Sequence, residues 1–168
     1  AANVQFKNFK QEGYIVETEQ LQLGDVGRPK RLWSINWDAN FVLSFTFVSG
    51  DLLMGLADFK CHIIDWQVTS LSNYDDHSVI LKTIDDFTEK AKEYVSSKSG
   101  HIRSAYFGIT GNKDGIVEKS VNMKALEGLN LPSMITRFEE KHRIFCRSCS
   151  HLYAFYFGES YYYEEQTT

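Results

Sequence analysis

Phe41, Leu43, Phe45 and Phe47 fall on alternate positions, with Ser44 and Thr46 between them. A strand sends successive side chains to opposite faces, so this run predicts a strand with one buried face. Gly50-Asp51 turns the chain after it. In the next run Phe59, Cys61 and Ile63 alternate with Lys60, His62 and Ile64, which predicts a second strand. Residues 31–37, 77–82 and 102–110 are further strand candidates. Gly111 to Gly115 carries turn chemistry, because Gly and Asn tolerate positive φ, and with Ile116 to Val121 it predicts a hairpin. Leu152 to Phe157 is apolar on both faces, as in a doubly covered strand.

Two stretches have helical spacing instead. Phe87, Ala91, Tyr94 and Val95 mark a helix over roughly 85–97, with Asp85 and Asp86 at its positive end and Gly100 just beyond its stop. Pro132 suits a first helical turn. Met134, Ile135, Phe138, His142 and Phe145 then give an apolar stripe for a helix near 133–145. Strands in succession, without regular strand–helix–strand alternation, predict an α+β fold. The expected architecture is a single domain over residues 1–163, with a largely antiparallel sheet, two helices and a polar acidic tail at 164–168.

Composition narrows the function classes. A chain of 168 residues has room for one sizeable core. Aromatic content of 14%, with twelve Phe, nine Tyr and three Trp, suggests a β-rich core, a recognition surface, or both. A net charge of −4 disfavours generic nucleic-acid binding, though it allows a local basic patch. No apolar run approaches the ~18–20 residues of a membrane span, and residues 1–7 are not a signal peptide. Three cysteines, an odd count, lean towards a reducing, intracellular setting. Walker, Gly-x-Gly-x-x-Gly and Gly-x-Ser-x-Gly motifs are all missing.

The densest chemistry lies between Lys141 and His151. His142, Cys146, Cys149 and His151 are soft-metal ligands within ten residues. If the second helix reaches Cys146, then His142 and Cys146 meet one turn apart. A Cys-x2-Cys knuckle plus two histidines suits tetrahedral zinc, in a structural role because four protein ligands leave no open position. The alternative is that the cysteines pack or bridge. Redox chemistry is disfavoured, because the pair follows a helix end rather than opening a helix.

Arg28, Lys30 and Arg31 stand next to Trp33 and Trp37. A basic loop beside indoles could stack on and neutralise a nucleotide or a single strand. Trp33, Ile35 and Trp37 could equally be the apolar face of a core strand. Tyr74-Asp75-Asp76-His77 gathers two carboxylates and an imidazole, the raw material of a metal-dependent hydrolase or nuclease, or simply a solvated loop. With aromatics abundant and no catalytic motif, the expected function is a non-enzymatic recognition domain. It would bind a protein or small ligand through an aromatic-rich surface or pocket, as a viral or other divergent interaction protein would. A small protein with a structural zinc at the Cys/His cluster is the alternative, and the hydrolase or nuclease comes third.

Overall fold

The computed structural model describes residues 2–21, 30–71, 76–109 and 124–150. In chain order they form α1 (Ala2–Gln11), β1 (Ile15–Leu21), β2 (Lys30–Ile35), β3 (Asn40–Val48), β4 (Asp51–Asp58), β5 (Ile63–Ser70), α2 (His77–Ser97), β6 (His101–Ile109), α3 (Leu131–His142) and β7 (Cys146–Ser150). Short 3-10 turns occupy Trp37–Ala39 and Lys124–Leu126.

The architecture is α+β. β1 and β2 form an antiparallel hairpin, and the other strands form one sheet in the order β5-β4-β3-β6-β7. That sheet is mixed rather than largely antiparallel. β3, β4 and β5 make an antiparallel meander, while β3–β6 and β6–β7 are parallel. Parallel neighbours need a crossover, and α2 and α3 supply the helices for it.

The core forms where α2 and α3 cover one sheet face. Phe41, Leu43, Phe45 and Phe47 of β3 point into it, as their alternation predicts. Leu52, Met54 and Leu56 of β4 join them, with Ile80, Ile84, Phe87, Ala91 and Val95 of α2 and Met134 and Phe138 of α3. Phe45 stacks on Phe107 at 4.8 Å and meets the rings of Phe138 at 5.6 Å and Phe87 at 6.3 Å.

Gly100 connects α2 to β6 under tight constraint. A Cβ there would lie 2.6 Å from the Phe41 ring and 3.1 Å from the Ala39 carbonyl. Phe41 is buried and cannot turn aside cheaply. Gly100→Ala should therefore lower stability by about 1–3 kcal/mol, read as a lower urea midpoint with an unchanged slope.

Several local expectations change. Residues 77–82 are the start of α2, not a strand. Ile80 and Ile84 extend the stripe of Phe87, Ala91 and Val95 backwards. Asp76 caps this helix, accepting from the Ser78 amide at 2.8 Å and from its hydroxyl at 2.6 Å. Asp85 is therefore mid-helix rather than at the N-terminus. Residues 59–62 are a reversal between β4 and β5, not a strand. The Asp58 carboxylate gathers the amides of Lys60 and His62 at 2.9 and 2.8 Å, which folds the chain back. α3 ends at His142 rather than 145, because Arg143 is left-handed at φ 58° and its N–H returns to the Glu139 carbonyl. Phe145 thereby leaves the stripe and is exposed. α1 is an element beyond the two helices expected. The hairpin expected at 111–121, the strand at 152–157 and the acidic tail at 164–168 lie outside the described residues.

Candidate functional site

α1, β1 and β2 make a helix–hairpin unit at one end of the chain. Phe6 and Phe9, three residues apart, share one face of α1. Phe6 meets Trp33 of β2 edge-on at 5.1 Å, and Phe9 meets Tyr14 at 5.9 Å. The Lys10 ammonium lies 4.8 Å over the Trp33 ring, a cation–π contact that helps fix the helix on the hairpin. Gly13, at φ 77°, takes the left-handed conformation that ends the helix and starts the hairpin. β1 and β2 run in register from Ile15↔Ile35 to Thr18↔Leu32.

With one face of α1 on the hairpin, its outer face carries Lys7, Asn8 and Gln11 in solvent. The helix contains no acidic residue, so its surface is cationic and rich in amides. Arg31 is exposed on β2, 3.5 Å from Glu17 across the hairpin. This unit is the candidate site. Its chemistry is that of charge and hydrogen bonding.

The residues expected to hold a ligand distribute around it. Arg28 lies outside the described residues, in the β1–β2 connection. Lys30 opens β2, and Arg31 follows it. Trp33 is half-buried beneath Phe6 and Lys10, so it packs the unit instead of offering a stacking platform. β2 stops at Ile35, and Trp37 belongs to the 3-10 turn that follows, so the two indoles do not share a strand face. Sequence reading passed over α1 entirely, and with it Lys7 and Lys10. The spacing of Phe6 and Phe9 before Gly13 was the signal available.

A second cluster joins α2 to α3. Asp85 is buried and accepts from Arg137 at 2.6 Å, Lys141 at 2.8 Å and His142 Nε2 at 2.8 Å. Burial alone would raise its pKa. The bonds from Arg137, Lys141 and His142 outweigh burial and hold it at about 2. The other His142 nitrogen, Nδ1, is 3.0 Å from Glu89 Oε1. Nδ1 also lies 3.1 Å from the Lys92 ammonium, so this histidine fastens α3 to three charged residues of α2.

The described part of the Cys/His cluster does not converge as the zinc reading expects. Because α3 ends at His142, Cys146 is not one helical turn from it but opens β7. Cys146 and Cys149 are three positions apart on a strand, an odd spacing that turns them to opposite faces. Cys146 is buried, and burial together with nearby Glu139 pushes its thiol up to about 12, away from the thiolate a metal needs. Among the described residues no His, Cys, Asp and Glu group is placed to hold a metal. His151 lies outside them. Asp76 is the cap of α2 and His77 its first residue, while Tyr74 and Asp75 are outside the described residues.

The sheet face away from α2 and α3 carries a shallow groove of about 250 Å³, lined by Ser44, Thr46, Leu53, Gly55, Ile63 and Trp66. It is an open, largely apolar surface. Among the described residues, no helix is long and apolar enough to cross a membrane.

No protein-family model matches this chain, and no curated protein matches it. Solved structures do. It aligns with a ROK family transcriptional regulator, a homologue of the E. coli MLC protein, at TM-score 0.62 and 16% identity, over 88% of this chain and 37% of that one. Weaker likenesses are to a candidate N-acetylmannosamine kinase from Listeria monocytogenes, at TM-score 0.46 and 15% identity over 66% of this chain and 35% of that one. A ROK family glucokinase from Streptomyces griseus follows at TM-score 0.48 and 12% identity, over 66% and 33%. The chain thus spans little more than a third of the proteins it resembles.

The likeness is one of fold: a ROK-like α+β architecture. It overturns the expected non-enzymatic aromatic recognition domain, of viral or other divergent kind. The physical reason is visible in the core. Phe41, Phe45, Phe47, Phe87, Phe107 and Phe138 are all buried between sheet and helices, so much of the aromatic content is packing, not a recognition surface.

Proposed function

We propose that this chain is part of a transcriptional regulator, in which the helix–hairpin unit contacts DNA and the ROK-like sheet body carries it. One observation supports this most directly. The alignment with the ROK family regulator takes in 88% of the chain. Residues 36–168 are less than four-fifths of it, so the likeness takes in part of residues 1–35 as well.

The chemistry of the unit agrees. A helix fits the major groove, where amide and ammonium side chains read base edges and phosphates. The outer face of α1 offers Lys7, Asn8 and Gln11 for that purpose. Residues 22–31 add Arg28, Lys30 and Arg31 against the single acid Asp25. Residues 1–35 as a whole hold five cations and four acids, so the basic character is confined to α1 and to the stretch 28–31, against a net charge of −4 for the chain.

Duplex DNA binding by fluorescence anisotropy across a salt series tests the reading. Wild-type protein should bind, with affinity falling steeply as salt rises. Lys7→Glu combined with Arg31→Glu should weaken binding at least about tenfold and flatten the salt slope. Lys90→Glu, on the exposed side of α2, should leave it unchanged. Equal losses from both surfaces, or no binding at low salt, would remove the DNA reading.

A further inference from the structure

We infer that Arg103 and Asn40 form a latch that sets the angle of the helix–hairpin unit on the sheet body, and that its opening lets the unit swing intact. Three observations carry this. The first is that the two parts have separate cores. The buried cluster of the sheet body begins at Phe41 and contains no described residue before it. The helix–hairpin unit is held by its own rings, Phe6, Phe9, Tyr14 and Trp33.

The second is the chemistry of the joint. It is small and mostly polar, centred on Glu12, Gly13 and Tyr14. Asn40 is wholly buried, and its amide donates to the Gly13 carbonyl at 3.2 Å and to the Asn36 carbonyl at 2.6 Å. Asn36 also donates to Gly13, at 3.2 Å. Arg103 donates from Nε to the Asn40 side-chain oxygen and from Nη2 to the Glu12 carbonyl. Its guanidinium lies 3.9 Å from the Tyr14 ring centre. Tyr14 and Phe59, at 6.4 Å, add a ring contact across the joint. Small polar interfaces between packed bodies permit relative motion, whereas large apolar ones forbid it.

The third is how Arg103 comes to point at the joint. β3 and β6 pair Phe41 with Ile102 and then Val42 with Ser104, so Arg103 is the extra residue of a β-bulge. Counted by alternation from buried Ala105 and Phe107, position 103 would face the core. The bulge re-aims it. One irregularity in the sheet thus delivers a forked cation to two acceptors on different bodies, and a shift of β6 against β3 would withdraw it.

Residual dipolar couplings test the latch on the whole chain. In the wild type, one alignment tensor should fit the amides of residues 2–21 and 30–35 together with those of the sheet body. In Arg103→Met the two parts should need separate tensors, with a smaller magnitude for the helix–hairpin unit and unchanged sheet-body shifts. Arg103→Lys, which keeps the charge without the fork, should fall between. A single tensor in Arg103→Met, identical to the wild type, would overturn the latch. So would unfolding of the sheet body in both variants, since Arg103 would then be a folding residue. None of these outcomes depends on DNA. A wild type that binds no duplex would end the proposed function and leave the latch standing.

Discussion

Phe45→Ala should lower the free energy of unfolding by about 3–5 kcal/mol, a large fraction of the stability of any domain this size. Phe45 is completely buried on β3. Its ring touches every layer of the core, with Phe107 on β6, Phe87 on α2 and Phe138 on α3 around it. Truncation removes the transfer energy of the ring and leaves a void that three rigid neighbours cannot fill. Urea denaturation followed by tryptophan fluorescence and by circular dichroism reads the loss. A cost below about 1 kcal/mol would mean that the four rings do not form the packed centre described.

The second large effect is at Asp85. Asp85→Asn should cost about 2–3 kcal/mol at neutral pH, because the amide keeps one acceptor but removes the charge that Arg137, Lys141 and His142 share and turns an NH2 donor towards those donors. Arg137 and Lys141 are partly exposed and can turn to water, which keeps the cost below that of a fully buried pair. The pH dependence has a definite sign. The folded pKa of about 2 lies below the ordinary 3.8, so the wild type binds fewer protons at this site than its unfolded chain does in acid. The contribution is complete above about pH 5 and is lost as pH falls towards 2. From the shift it amounts to roughly 2 kcal/mol. Stabilities of wild type and Asp85→Asn should therefore converge on acidification. A gap that stays constant from pH 6 to 2.5 would show that the carboxylate charge is not what joins α2 to α3.

Much of the core was legible because strands write alternation directly into sequence. The faces of β3 follow from Phe41, Leu43, Phe45 and Phe47 alone, and the class α+β follows from the succession of such runs. What was hidden depends on long-range geometry. Residues 77–82 alternate loosely enough to pass for a strand, although Ile80 and Ile84 continue the helical stripe of Phe87, Ala91 and Val95 behind the Asp76 cap. The Cys/His cluster looked like a metal site because spacing along a chain was read as spacing in space. One left-handed residue, Arg143, ends α3 early, and the strand that follows turns Cys146 and Cys149 to opposite faces. The joint was illegible for the same reason. Nothing local marks Arg103 as a bulge or Asn40 as its acceptor, since their sequence separation is sixty-three residues.

The strand order also has a consequence for how the polypeptide collapses. β3, β4 and β5 are neighbours in sequence as well as in space, so the meander can close while the rest is still being synthesised. β6 reaches β3 only from the far side of α2, where Asn40 meets His101. Until α2 docks, Phe41, Phe45 and Phe47 have no cover, and the unpaired edge of β3 is open to other nascent chains. The parallel pairing of β3 with β6 is therefore the non-local contact of this sheet, and it closes only after the whole of α2 has been made.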